Sequence, residues 1–316
     1  MVRHLAENTD HRPVVLDNLS MGHRAAVPEG VPLVEGDIAD TALVRSVLRE
    51  HGVEAVMHFA AWWAVGESVE RPADYYDNNV AATLRLLTAM KDEGVGAFVF
   101  SSSAAVYGTP ERVPIREDFP LAPINPYGRT KLMVEQILAD FERAYGTKYV
   151  CLRYFNAAGA HPDGRTGEDH SPETHLIPLV LQVALGKREK IYVFGDDYPT
   201  RDGTCVRDYV HVHDLATAHE AALNRILSGG ESGAFNLGSG EGTTVLEVIE
   251  ACREVTGRDI PAERRPRRAG DPPALVADSG LAERELGWRK RYRRIEEIVE
   301  TAWRWHSTHP DGYGDR

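Results

Sequence analysis

The sequence predicts an α/β protein built on a Rossmann-like, doubly wound parallel sheet, and three observations carry that expectation. Short β-rich runs alternate with helical stretches through the first half of the chain. The runs are continuously apolar, as strands covered on both faces are, and a polar residue follows most of them. Val14-Val15-Leu16 precedes Asp17, and Leu33-Val34 precedes Glu35-Gly36-Asp37. Ala55-Val56-Met57-His58-Phe59 and Ala97-Phe98-Val99-Phe100 repeat the scheme, and Tyr149-Val150-Cys151-Leu152-Arg153-Tyr154 supplies a further strand. Helical patterns fall between them at residues 41–51, 79–93 and 127–145.

After Gly159 the texture changes. Residues 160–175 are rich in Gly, Pro, His and Asp and read as a loop into a second, smaller α/β region. That region has helices expected near residues 176–185 and 245–256, strands near 191–194 and 234–237, and a last helix near 295–306. No internal repeat or low-complexity linker intervenes, so the second region is expected to pack on the first. The expected division is 1–157 for dinucleotide binding and 158–316 for substrate.

Composition narrows the function classes. The 316 residues are 42% hydrophobic and 27% charged, ordinary for a globular protein with a sizeable core. A formal charge of −12 argues against a nucleic-acid or anionic-membrane surface. Arg264-Arg265-Pro266-Arg267-Arg268 is a local exception, and the cluster at residues 289–294 reads as a solvated face. Cys151, Cys205 and Cys252 sit in no metal-ligand pattern and read as free thiols in a reducing compartment. The N-terminus carries no apolar signal segment and no run is long enough to span a bilayer, so a cytoplasmic location is expected.

In an open parallel sheet, ligands sit outside the carboxyl ends of the strands. Asp17 is placed to take adenosine ribose hydroxyls, Asp37-Ile38 to flank an adenine, and Phe59-Ala60-Ala61 to lie near a pyrophosphate. Ser101-Ser102-Ser103 falls near a nicotinamide or substrate. Each alone reads equally as a helix cap or turn. Four successive strands ending this way make a dinucleotide site the better reading. The glycine-rich phosphate loop is missing from the pattern: no G-x-G-x-x-G occurs before Asp17. A strand, tight loop and helix need roughly thirty residues. Residues 4–8 read as the end of that helix, so the expected sheet lacks its first strand and glycine loop. Loss of a central strand is expected to leave apolar edges on its neighbours.

Tyr127 and Lys131 lie four apart on one helical face, a spacing that brings side chains together. An ammonium beside a phenol stabilises the phenolate and creates a candidate general base for an alcohol proton. On its own the pair reads first as an exposed helical contact, until its neighbours are considered.

Those neighbours resemble the UDP-glucose 4-epimerases, extended short-chain dehydrogenase/reductases, across essentially the whole chain. The matching segments include Val14-Val15-Leu16-Asp17-Asn18-Leu19-Ser20, His58-Phe59-Ala60-Ala61, Tyr75-Tyr76-Asp77-Asn78-Asn79-Val80 and Phe100-Ser101-Ser102-Ser103. They continue with Asn125-Pro126-Tyr127-Gly128-Arg129-Thr130-Lys131, Leu152-Arg153-Tyr154-Phe155-Asn156-Ala157-Ala158-Gly159, and Val206-Arg207-Asp208-Tyr209-Val210-His211. The resemblance implies an NAD that is reduced and reoxidised within each turnover. It implies Tyr127 as base for the sugar 4-hydroxyl, Lys131 lowering the Tyr127 pKa, and Ser103 on the 4-oxygen. NAD contacts are implied for Asp17, Asn18, Asp37, Ile38, Phe59, Ala60, Ala61, Asn78, Ser101, Tyr127, Lys131 and Tyr154. UDP-sugar contacts are implied for Ser103, Tyr127, Asn156, His175, Leu176, Tyr192, Phe194, Arg207, Arg268, Asp271 and Leu275. For Arg207 an ion pair with Asp208 or Glu220 is the alternative.

Three positions depart from the family pattern. Trp63 replaces a frequent lysine, although its ring could cover the dinucleotide. His175 replaces an asparagine and keeps a donor. Leu275 stands where a tyrosine or cysteine sets pocket width, so N-acetylated UDP-hexoses are an alternative substrate class, beside UDP-pentoses. A non-catalytic nucleotide-sugar binder that holds NAD poorly is the reading from another class. A homodimer is implied through the helices at 79–93 and 127–145, with Leu84, Leu87, Met133 and Ile137 as contacts or, equally, as core. No metal is expected.

Overall fold

The computed structural model describes residues 1–268 and 271–315. Its strands are β1 Val15–Asp17, β2 Leu33–Glu35, β3 Val56–His58, β4 Ala97–Ser101, β5 Lys148–Tyr154, β6 Asn156–Ala158 and β7 Ile191–Phe194. They continue as β8 Val206–Arg207, β9 Tyr209–His211, β10 Gly233–Leu237, β11 Thr243–Thr244, β12 Ala262–Arg265 and β13 Ala274–Leu275. The helices are α1 Val2–Asn8, α2 Thr41–Glu50, α3 Val65–Glu70, α4 Pro72–Tyr76, α5 Ala82–Asp92 and α6 Pro126–Tyr145. After these come α7 Leu176–Ala184, α8 Val212–Leu227, α9 Val245–Thr256, α10 Gly280–Glu285 and α11 Ile295–Thr308.

The parallel sheet is present, in two parts. One has the order β10-β5-β4-β3, all parallel, and the other is the parallel pair β1-β2. Burial separates interior from edge strands. Every residue of β4 is buried, whereas β1 is half-buried throughout and β3 buries only His58. Among the described residues no strand lies between β1 and β3. Both parts still share one core: Leu16 and Val56 pack against Val44, Leu86, Phe98 and Leu138. The helices covering this face are α2, α5 and α6. On the other face α8 and α10, through Leu215, Ala218, Leu223 and Ala282, and Trp288 beyond α10 pack against Val99, Val150 and Leu152.

The strand β10 runs across the expected partition. It pairs with β5 in register from Gly233↔Val150 to Leu237↔Tyr154, so a strand and two helices of the second half complete the first sheet. A boundary at residue 157 therefore does not divide the sheet. The smaller region is built from β7-β12, the three-stranded β11-β8-β13, and α7, α9 and α11 around a core including Ile177, Leu181, Val248, Ile249 and Val299. The pair β6-β9 links the two regions.

Local chemistry explains the two helices nearest the site. Asn125 caps α6 by accepting from Gly128 N at 2.8 Å, Pro126 opens the helix, and Gly146 closes it at φ +77°. Gly128 is required for packing: a Cβ there would stand 2.6 Å from the Ala105 carbonyl oxygen. The predicted helix at 79–93 begins differently. A π-turn over Asp77–Ala81 leads into α5 and buries Asn79, whose side chain accepts from Trp62 N and donates to Trp62 O and Thr130 Oγ1. Such bulges are frequent at functional sites, where they re-aim side chains.

All three cysteines are buried free thiols, and no helix among the described residues is long and apolar enough to cross a membrane.

Candidate active site

Ser103, Tyr127 and Lys131 converge at the carboxyl end of β4. The Lys131 ammonium, 3% exposed, donates to the Ser101 carbonyl at 2.7 Å, and its nitrogen lies 5.8 Å from the Tyr127 ring centre. Ser103 caps the short turn Ala104–Tyr107, accepting from Ala105 N at 3.2 Å. Burial pushes the Tyr127 phenol well above the usual tyrosine range, and only the Ser103 hydroxyl pulls it back. Burial also draws Lys131 down to about 7, against the opposing pull of Glu135. The expected lowering of the phenol by Lys131 is therefore not the dominant effect in this geometry. Desolvation disfavours the charged form of both partners, and the ammonium is bonded to a carbonyl, not to the phenol.

A buried network fixes this corner from below. Arg153 makes a two-pronged contact with Glu135, Nε to Oε1 at 2.9 Å and Nη2 to Oε2 at 2.5 Å. Ser102 Oγ donates to Glu135, and Arg153 Nη1 donates to the Tyr107 hydroxyl at 2.9 Å. Tyr107 donates on to Asn236 on β10. Sequence reasoning missed this network because its members lie on four separate elements.

The other expected dinucleotide residues line the same edge. Asp17 ends β1 and accepts from Leu19 N at 2.7 Å, while Asn18 donates to Asp37 at 3.0 Å, bridging the ends of β1 and β2. Ile38 packs against the core beneath them. Phe59, 42% exposed, follows β3 and lies on the His219 ring at 4.7 Å, with Ala60 and Ala61 next in the chain. Asn78 donates to Asn79 in the π-turn, and the Ser101 and Tyr154 hydroxyls are hydrogen-bonded across β4 and β5.

Beyond the end of β5 the edge opens into a cavity of about 300 Å³. Asn156, His175, Leu176, Tyr192, Phe194, Arg207 and Arg268 all line it. Neither alternative partner holds Arg207. Asp208 is occupied by Ser239 N, Gly240 N and Ala277 N, and Glu220 by His4. Arg207 instead donates to the Val206 and Pro272 carbonyls and comes within 3.8 Å of Asp271. Arg268 bonds Asp271 at 2.9 Å and stacks over Phe194. Asp271 thus gathers two guanidinium groups at one wall. Leu275 does not line this cavity, but it pairs with Arg207 across β13 and β8 and packs on the Val106, Tyr107 and Ile115 cluster. A larger, shallow groove on α8, lined by Thr217, Glu220 and Asn224 among others, contains none of these residues.

Trp63 does not lie free to cover a ligand; its ring rests on His170 at 4.6 Å. His170 belongs to a second cluster with Glu168, Glu173 and His175, which the sequence reading did not single out. Burial alone lowers an imidazole, but Glu168 and Glu173 overcome it and lift His170 to about 9 and His175 to about 10. Of the four helix residues offered as contacts, Leu87 is core at 1% exposure and Ile137 packs against that core. Leu84 and Met133 stand 42% and 40% exposed.

Residues 1–238 match the family model described as the NAD dependent epimerase/dehydratase family. The chain is 55% identical over 300 residues to a UDP-glucose 4-epimerase of Halalkalibacterium halodurans, covering 95% of this chain and 90% of that protein. It is similar to the crystal structure of a UDP-glucose 4-epimerase from Brucella ovis in complex with NAD. That match has a TM-score of 0.93 at 49% identity, over 96% of this chain and 93% of the other. A UDP-glucose 4-epimerase from Bifidobacterium longum in complex with NAD+ and UDP matches at TM-score 0.91 and 42% identity, over 98% and 95%.

Proposed function

The chain belongs to the NAD dependent epimerase/dehydratase family, and from that premise we propose that it is a UDP-glucose 4-epimerase, interconverting UDP-glucose and UDP-galactose through a 4-keto sugar. The observation that carries the reading is the meeting of Ser103, Tyr127 and a buried Lys131 at the end of β4, beside a cavity walled by two arginines.

The strand-end residues fit NAD. Gly22 keeps one flank of the Asp17 carboxylate open, since a Cβ there would stand 2.8 Å from Oδ2. A carboxylate accessible on that side suits a ribose diol. Asn18, Asp37 and Ile38 would bound the adenine end, Phe59, Ala60 and Ala61 the middle, and Asn78, Ser101, Lys131 and Tyr154 the nicotinamide end. When bound, NAD supplies a redox centre that takes up and returns the C4 hydrogen with its electron pair.

The side chains do the remaining work. Tyr127 removes the 4-hydroxyl proton and later returns it, which requires its raised pKa to fall on assembly of the complex. Positive charge is what lowers it, and Lys131 is the chain's own source. Ser103 holds the 4-oxygen by hydrogen bonding. Arg207 and Arg268 grip the diphosphate, for which planar guanidinium groups are suited, while Asn156, Leu176, Tyr192 and Phe194 wall the nucleotide. Binding far from C4 keeps the keto sugar in place between the two half-reactions. In this division residues 1–157 mainly serve NAD and 158–316 mainly the UDP-sugar. A homodimer formed through α5 and α6 would cover Leu84 and Met133.

The test is direct. UDP-galactose incubated with the protein and NAD is expected to reach an equilibrium mixture with UDP-glucose, followed by chromatography. Unchanged UDP-galactose would overturn the reading.

A further inference from the structure

We propose that Glu168, His170, Glu173 and His175 form a divalent-cation site, best suited to zinc, that fixes the loop entering α7. The four residues offer two carboxylate oxygens and two imidazole nitrogens, and these atoms all lie within 4.8 Å of one another. Nitrogen and oxygen ligands sit about 2.0–2.2 Å from zinc, so neighbouring ligand atoms of a tetrahedral site stand roughly 3.3–3.6 Å apart. The observed separations approach that edge length. His170 Nδ1 is 3.2 Å from Glu168 Oε1 and 3.7 Å from Glu173 Oε2, and His175 Nδ1 is 3.3 Å from Glu173 Oε1. His175 Nδ1 and Glu168 Oε1, at 2.5 Å, stand closer than that edge.

Direction separates this arrangement from a pair of ion pairs. An imidazolium bonded to a carboxylate aims an N–H at the oxygen. Here both Nδ1 atoms are buried and neither makes a hydrogen bond, despite carboxylate oxygens close by. Ring nitrogens beside carboxylates but not aimed at them suit lone pairs pointing to a shared centre. Charge agrees as well: ligating imidazoles are neutral, their protons being released on metal binding, so with the two carboxylates the set carries −2, which a divalent cation cancels. A mixed nitrogen and oxygen set of four favours zinc over the harder magnesium and calcium ions.

The surroundings hold the ligands in place. Glu173, 6% exposed at its side chain, also accepts from Thr174 N and His175 N through Oε1. Trp63 rests on the His170 ring, and Trp305 donates to the Glu168 carbonyl at 3.1 Å. Gly167 allows that approach, because a Cβ there would run into the Trp305 ring at 2.1 Å. His175 begins α7 without a side-chain capping bond, so its ring is not committed to the helix. Glu168, His175 and Leu176 also line the cavity assigned to the nucleotide. The cation is a positioning element for that wall and takes no part in proton transfer.

Cobalt is the probe. Protein stripped with a chelator, with no NAD or nucleotide present, is titrated with Co²⁺ alone. The expected result is one ion per chain with an intense visible d–d band of a four-coordinate site. Glu168→Gln and His170→Ala should each weaken binding by about a hundredfold or more, beyond what loss of an outer partner does. His51→Ala, an exposed histidine after α2, should leave it unchanged. No cobalt band, or equal binding by wild type and both loop variants, would overturn the site. If those variants fail to fold, anomalous scattering from zinc-soaked wild-type crystals decides. A peak among the four side chains supports the proposal, and none there refutes it. Neither readout depends on epimerase activity.

Discussion

Tyr127 and Lys131 are both held away from the ionised state by burial, and their chemistry is best tested by separating activity from stability. Tyr127→Phe keeps the ring and removes the proton acceptor; kcat for UDP-galactose should fall by about 10²–10⁴ with an unchanged melting temperature. Lys131→Met should also lose most of its activity, but its stability has a pH signature. The native pKa of about 7 lies below the ordinary lysine value. Below pH 7 both native and unfolded chains hold the proton, so the cost of burying the charge is felt in full. Between there and about pH 10 the unfolded chain binds a proton that the native chain does not. Wild-type stability relative to Lys131→Met should therefore rise with pH across that window, measured by urea unfolding. A flat difference would show that the lysine is solvated in the native state. Leu275 tests substrate range: turnover of UDP-N-acetylglucosamine supports a pocket widened by leucine, and none rejects it.

The structural burden at the element scale falls on the junction of α6 with β4 and β5. Three features join there: Gly128 against Ala105, Lys131 on the Ser101 carbonyl, and the Glu135–Arg153 pair tying α6 to β5. Removing one member of a buried pair strands the other charge, so Glu135→Ala should cost about 3–5 kcal/mol in chemical denaturation. A cost below 1 kcal/mol would mean that water reaches Arg153 freely. Much of this junction was legible beforehand. The helical pattern at 127–145 announced α6, one residue short of its start at Pro126, and apolar runs announced β4 and β5. The helix α8 went unread, although 16 residues long, because its polar His213, Asp214, His219 and Glu220 interrupt an otherwise alanine-rich face. Asp214 and His219 are buried there, with Asp214 taken up by Arg291 N and Tyr292 N. Those partners lie more than seventy residues away, beyond the reach of a local pattern.

At the scale of the whole molecule, β10 and α8 return from the second half of the chain to finish the first sheet. That return ties the second half of the chain into the first sheet. It also gives a prediction for assembly. α5 and α6 lie side by side, each with an exposed apolar side chain, Leu84 and Met133, which the proposed dimer would cover. The double variant Leu84→Glu, Met133→Glu should sediment as a monomer if the wild type sediments as a dimer. A wild-type monomer would remove the dimer from the account.

The sequence by itself determined the parallel α/β class, the order of its main strands and helices, and the family. It also supplied the residues proposed to carry the proton chemistry and to grip the diphosphate. The class and element order follow from local apolar periodicity, and the family and its implied site residues from the resemblance of short segments along the chain. Only the tertiary structure decided which charges meet. It put Asp271, not Asp208 or Glu220, beside Arg207, it bonded Lys131 to a carbonyl, and it turned Trp63 onto His170. It also closed Glu168, His170, Glu173 and His175 around one centre. Burial and the direction of a lone pair depend on what packs from distant parts of the chain, and no local spacing encodes them.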